Sequence, residues 1–132
     1  VRAQRIFSAS APAPIGPYNQ AVSIDGLVFC SGQIAIDPAA GRLIDGDVGA
    51  QTEQVMRNIE AVLAAAGATF ADVVKTTIFL VDMADFAVVN GIYGERFAGG
   101  VAPARSTVAV AALPLGARVE IETIAQPART EP

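Results

Sequence analysis

Histidine and tryptophan are both missing from this 132-residue chain, and cysteine occurs once. Without histidine, Ser-His-Asp triads, Cys-His nucleophile pairs and histidine-ligated metals are excluded. The lone Cys30 rules out an intramolecular disulfide and fits a reducing compartment, so the expected location is cytoplasmic. No run of basic residues occurs, and the net charge is -4. The footprint for nucleic-acid binding is therefore lacking, and an acidic chain is not drawn to anionic membranes. No apolar run approaches the ~20 residues of a membrane span, and Val1 to Arg5 leads into no signal-peptide core. Aromatic residues make up only 6% against a hydrophobic fraction of 52%, so the core must be built from Val, Ile, Leu and Ala. Chemistry is left to Arg, Glu, Asp, Tyr, Lys, Ser and the backbone, with no cofactor or metal expected.

The length suits one domain over 1–132. So high an apolar fraction in a small chain leaves apolar surface to cover, and a homo-oligomer covers it most simply. Gln4 to Phe7 reads as a short strand. Residues 8–17, with three prolines and a glycine, read as an extended loop. Gln20 to Ile24 and Leu27 to Ile36 read as strands joined by a type I′ turn at Asp25-Gly26, the second buried on both faces. A polar loop follows to Gly46. Asp47 is placed to cap a helix over Val48 to Ala66, closed by Gly67 as the C′ residue. Val73 to Val81 is rich in β-branched residues and reads as a strand.

Asp82 is placed to cap a second helix with Phe86, Val89, Tyr93 and Phe97 on its apolar stripe. Gly91 and Gly94 weaken that helix and would permit close backbone approach, and Gly99-Gly100 ends it. Residues 104–111 and 117–126 read as a hairpin turning at Pro114 to Gly116, with a frayed tail from Gln126. The order β-β-β-α-β-α-β-β predicts an α+β fold, a mixed sheet with both helices on one face. The other face then needs a cover, which again points to association.

Within Pro103-Ala104-Arg105-Ser106-Thr107-Val108, Arg105 is the one charge between Arg96 and Arg118. Its planar fork suits a carboxylate or phosphate, and the residue type leaves two readings open: a bidentate clamp or an intersubunit salt bridge. Glu120 sits among alternating charged and apolar residues, shares a strand face with Glu122 and Ile124, and by residue type reads first as a solvated edge glutamate, with a catalytic carboxylate as the alternative. In the hairpin register that pairs Ala112 with Ala117, Arg105 and Glu120 lie on one face, ~14 Å apart along the strand. They would not pair directly. A substrate between them, a bulge or a second subunit could join them. Tyr18 ends the proline loop as a pocket wall or a core cap. Ser31-Gly32 interrupts a strand, as a ligand approach or a bulge. Asn90, one residue past the helix stripe, is a satisfied buried amide or a pocket donor. Cys30 reads as core packing.

These segments resemble the RidA/YjgF family of reactive-intermediate deaminases over nearly the whole chain. The similarity rests on Pro103 to Val108, Leu113 and Val119-Glu120-Ile121, with Ile15-Gly16-Pro17-Tyr18, Ser31-Gly32-Gln33-Ile34 and the Val89, Asn90, Tyr93, Phe97 spacing. It implies a chorismate-mutase-like fold in a homotrimer with a central barrel and active sites between subunits. It also implies hydrolysis of 2-imino acids, formed from enamines released by pyridoxal-phosphate-dependent dehydratases, to 2-keto acids and ammonia. Arg105 would then grip the carboxylate and Glu120 act as general base. Tyr18, Ser31, Gly32, Asn90 and Thr107 would bound the substrate. Some members carry cysteine where this chain has Thr107. The alternatives are a non-catalytic trimer that binds small carboxylates, and the ribonuclease or translation-inhibitor role attached to some relatives.

Overall fold

Asp25 and Gly26 both adopt left-handed backbone, with φ of 50° and 79°. That is the geometry a type I′ turn requires, and it joins β2 (Ala21–Ile24) to β3 (Leu27–Gln33) as expected. The computed structural model describes residues 2–128; the outer end of the predicted frayed tail lies outside them. The other strands are β1 (Gln4–Ile6), β4 (Ile36–Asp37), β5 (Arg42–Leu43), β6 (Val73–Leu80), β7 (Ala104–Ala109) and β8 (Val119–Ala125). The helices are α1 (Val48–Ala65) and α2 (Phe86–Glu95). Among the described residues no helix is long and apolar enough to cross a membrane.

Six strands form one mixed sheet in the order β1-β2-β3-β8-β6-β7, and β4 and β5 pair separately inside the predicted polar loop. Side chains alternate between the two faces of a strand. On one face lie Val28, Cys30, Thr76, Ile78, Leu80, Val119, Ile121, Thr123 and Ala125, all buried. Helix α1 packs there on β3 and β8, and α2 packs on α1. The other face carries Phe29, Lys75, Thr77, Phe79, Val108, Glu120, Glu122 and Ile124, with Phe29 and Val108 more than 40% exposed. The expectation that β3 is buried on both faces is therefore corrected: within one chain its outer face stays open.

Local signals explain the helix ends. Asp47 accepts a hydrogen bond from the Ala50 amide, and Gly67 takes φ of 73° just past the C-cap. Asp82 caps a single 3-10 turn over Met83–Asp85 rather than α2 itself, which begins at Phe86 without a side-chain cap. A Cβ added to Gly91 or Gly94 would meet nothing within 4 Å among the described residues, so no other element of the described chain packs closely there.

The larger correction concerns the last two strands. They do not form a hairpin. β6 lies between them, parallel to β7 and antiparallel to β8. The Pro114–Gly116 turn and the segment before it carry the chain across one strand position, so β7 becomes an edge strand.

Buried amides tie loops to this frame. Gln20 is 2% exposed. Its side chain accepts from the Ser8 amide at 2.7 Å and donates to the carbonyls of Ser8 and Pro12 at 3.0 and 2.8 Å. It thus holds the proline loop that ends at Tyr18. Gln20→Ala strands the Ser8 amide and the Pro12 carbonyl, leaves the Ser8 carbonyl only the Ala11 amide at 3.4 Å, and is expected to lower stability by about 2–3 kcal/mol, read from urea unfolding. Asn58 on α1 similarly donates to the carbonyls of Ile34 and Ile36.

Candidate active site

Arg105 is level with Thr76 on β6, and Thr76 with Thr123 on β8. That row belongs to the helix-bearing face. Glu120 is level with Phe79, three residues along β6, and so points to the open face. Two strand spacings and three residues put the two Cα atoms ~14 Å apart. The expectation that the two do not pair directly holds, but its register and shared face do not: the offset along the strands is three residues, ~10 Å, and Arg105 and Glu120 occupy opposite faces of one sheet. The hairpin register behind that expectation fails because β6 is inserted between the two strands.

Arg105 is exposed on the edge strand and rests against α2. One guanidinium N–H donates to Asn90 Oδ1 at 2.6 Å. Its carbon lies 5.5 Å from the Phe86 ring centroid and 5.1 Å from that of Tyr93. The salt bridges among the described residues join Arg96 to Glu53 and Glu95, and Arg118 to Asp85; none involves Arg105. Asn90 is thus an exposed partner of Arg105, not the satisfied buried amide that one reading anticipated. Thr107 points to the same face, two residues on. Its hydroxyl is buried and has no hydrogen-bond partner among the described residues.

Burial pushes the Tyr93 phenol above its ordinary pKa, against the opposing pull of its Thr76 hydrogen bond and the Arg105 charge. It therefore stays a neutral hydroxyl, 2.7 Å from Thr76 Oγ1. Burial also raises the Cys30 thiol, which leaves it protonated and suited to core packing.

On the open face, Glu120 lies against Gly32. Burial raises its carboxyl pKa, and the charge of Glu122 raises it further. The β3–β8 register shifts between Cys30 and Gln33, so Ser31-Gly32 is a bulge. A Cβ on Gly32 would sit 2.5 Å from Glu120 Oε2. Glycine is needed here for space. Gly32→Ala is expected to displace the carboxylate and cut ~10–100-fold any reaction that depends on its placement, with little change in Tm because the obstructing atoms, Oε2, Cδ and Cγ of Glu120, belong to a side chain and not to backbone. Steady-state kinetics beside a melting curve check this.

Glu120, Gly32 and Tyr18 line a cavity of ≈ 60 Å³, walled by Ile15, Ile34 and Pro114. The Tyr18 hydroxyl accepts from the Ile15 amide at 3.2 Å, and the Ser31 hydroxyl donates to the Asn19 carbonyl at 2.6 Å. The structure therefore gathers the predicted residues into two groups. Tyr18, Ser31, Gly32 and Glu120 surround the bulge; Asn90, Arg105 and Thr107 sit at the β7 edge. Sequence reasoning missed Phe86 and Tyr93 as supports of Arg105, having assigned both to the apolar stripe. The signal was present: Phe86, Asn90 and Tyr93 stand at i, i+4 and i+7, which puts a polar amide between two aromatics on one helix face.

A mixed-sheet α+β layer with an open face, and on its edge strand an arginine without an acidic partner among the described residues, defines the structural class. The family model described as Endoribonuclease L-PSP matches residues 8–127, and the chain belongs to that family, the RidA/YjgF family. It is 55% identical over 122 residues to protein DfrA of Myxococcus xanthus, covering 91% of this chain and 92% of that one. It is 50% identical over 120 residues to the 2-iminobutanoate/2-iminopropanoate deaminase of Mus musculus, covering 91% and 88%. The crystal structure of the conserved Rid-family protein YyfA from Yersinia pestis superposes with a TM-score of 0.93 at 49% identity, covering 95% of this chain and 99% of that one.

Proposed function

We propose that this protein is a hydrolytic deaminase of 2-imino acids, acting as a homotrimer whose sites lie between subunits. The observation that carries the reading is an exposed Arg105 held by neutral groups with no carboxylate partner among the described residues. A fork left unneutralised is suited to a small carboxylate. The name of the mouse relative supplies the reaction class.

The chemistry needs few groups. A 2-imino acid already has an electrophilic C2. Arg105 would hold its carboxylate, with the unpartnered Thr107 hydroxyl beside it. The Glu120 carboxylate would take a proton from water as the water oxygen bonds to C2, and the C=N π electrons would move to nitrogen. That proton, delivered to nitrogen, gives a carbinolamine with a hydroxyl and an NH2 on C2; transfer of the hydroxyl proton to the amine, again through Glu120, then lets the C–N bond break as the C2=O bond forms. Ammonia leaves and the 2-keto acid remains. A raised Glu120 pKa makes the group a stronger base than an ordinary carboxylate.

Arg105 and Glu120 face opposite ways in one chain, so a site using both takes one from each of two copies. The open sheet face, with Phe29 and Val108 exposed, offers surface for that association. A net charge of -4 and the lack of histidine argue against ribonuclease chemistry.

The test generates 2-aminoacrylate or 2-aminocrotonate with a dehydratase and follows keto-acid release. The expected result is acceleration by this protein. No acceleration contradicts the reading, and tight binding of 2-oxobutanoate without acceleration would favour the carboxylate-binding alternative.

A further inference from the structure

The side chain of Arg105 is contacted by three residues of one helix face, and none of them carries a charge. Asn90 accepts one N–H at 2.6 Å, while the rings of Phe86 and Tyr93 lie 5.5 and 5.1 Å from the guanidinium carbon. Because a guanidinium only donates, the amide must present its oxygen here. The Tyr93 ring is itself fixed, since its hydroxyl bonds Thr76 Oγ1 at 2.7 Å. Thr76 in turn is the β6 residue level with Arg105. The helix is anchored at its entry, where Arg118 Nη2 contacts both carboxylate oxygens of Asp85 at 3.0 Å.

We propose that Asn90, flanked by Phe86 and Tyr93, is a positioning residue that aims Arg105 while leaving its charge unneutralised for an incoming carboxylate. The inference rests on the reading of Arg105 as a carboxylate receptor. A carboxylate in place of the Asn90 amide would hold the arginine at least as firmly, but it would also cancel its charge and repel the ligand. A neutral oxygen orients without competing. Aromatic faces add attraction and exclude water, again without adding charge.

The distinguishing comparison is therefore Asn90→Asp against Asn90→Ala. Calorimetric titration with 2-oxobutanoate is expected to show N90D binding about tenfold or more weaker than wild type, and weaker than N90A. N90D should melt no lower than wild type, and its KM should rise more than its kcat falls. A purely structural role predicts the reverse order, with the near-isosteric aspartate tolerated and alanine worse. Binding by N90D within twofold of wild type, or tighter than by N90A, overturns the proposal.

A second readout needs no ligand. In the wild-type protein the Arg105 side-chain NMR resonances should be displaced upfield by the two rings and return toward free-arginine positions in N90A. Unshifted resonances in wild type, or no change in N90A, also overturn it. Wild-type protein that binds no 2-oxobutanoate but keeps the shifted resonances would sink the carboxylate reading, and with it the purpose assigned to Asn90, while leaving the arginine's orientation established.

Discussion

Arg105→Ala is expected to lower kcat/KM for a 2-imino acid by about a thousandfold. Truncating one partner of a close charge pair costs on the order of 2–5 kcal/mol, and each 1.4 kcal/mol is about tenfold. The stability of the folded chain should barely change. Arg105 is exposed on an edge strand, makes no salt bridge among the described residues, and has one hydrogen bond to an exposed Asn90. Arg105→Lys should also lose most of the activity. A single ammonium cannot offer two parallel hydrogen bonds to a carboxylate or lie flat against Phe86 and Tyr93. Kinetics of both variants, with melting curves as controls, give the answer. Lysine near wild-type activity would mean that a point charge suffices and the fork geometry is irrelevant.

Glu120→Gln carries the second large effect. Removing a general base costs about 10²–10⁴ in rate, so kcat should fall by that order while the affinity for 2-oxobutanoate stays within a few-fold. The variant should also be more stable than wild type at neutral pH. The folded-state pKa of Glu120 is raised, first by burial and then by Glu122, so folding disfavours its ionised form. That penalty is fully present above the raised pKa and disappears below the ordinary glutamate value. The Tm advantage of E120Q should therefore shrink as the pH falls through that window. Wild-type kcat should fall through the same raised pKa, because only the carboxylate can accept the water proton. Glu120→Gln with wild-type kcat would remove the residue from the mechanism.

Much of the fold was legible because its signals are local. Asp25-Gly26, Asp47 and Gly67 each impose one backbone geometry, and the structure keeps all three. Strand pairing was not local. Nothing in Ala104–Ala109 or Val119–Ala125 says that β6 lies between them, since two β-rich segments joined by a proline-glycine turn look like a hairpin whatever separates them in space. That single error put Arg105 on the same face as Glu120, where the structure has them on opposite faces. The space around Gly32 was equally hidden, because it depends on a carboxylate from a strand almost ninety positions away. The support of Arg105 by Phe86 and Tyr93 was visible as helical spacing, but it needed the parallel β6–β7 pairing to give it a purpose.

The proposed site joins Arg105 of one subunit to Glu120 of another, and mixed oligomers test that most directly. Arg105→Ala and Glu120→Gln chains, each nearly inactive alone, are co-expressed and purified together. In randomly mixed assemblies each intersubunit site draws its arginine and its glutamate from different chains, so about a quarter of the sites regain both. The mixture is therefore predicted to show about a quarter of wild-type imine hydrolysis. Activity no higher than that of either variant alone, in assemblies shown to contain both chains, would place the two residues in one subunit's site and contradict a shared one.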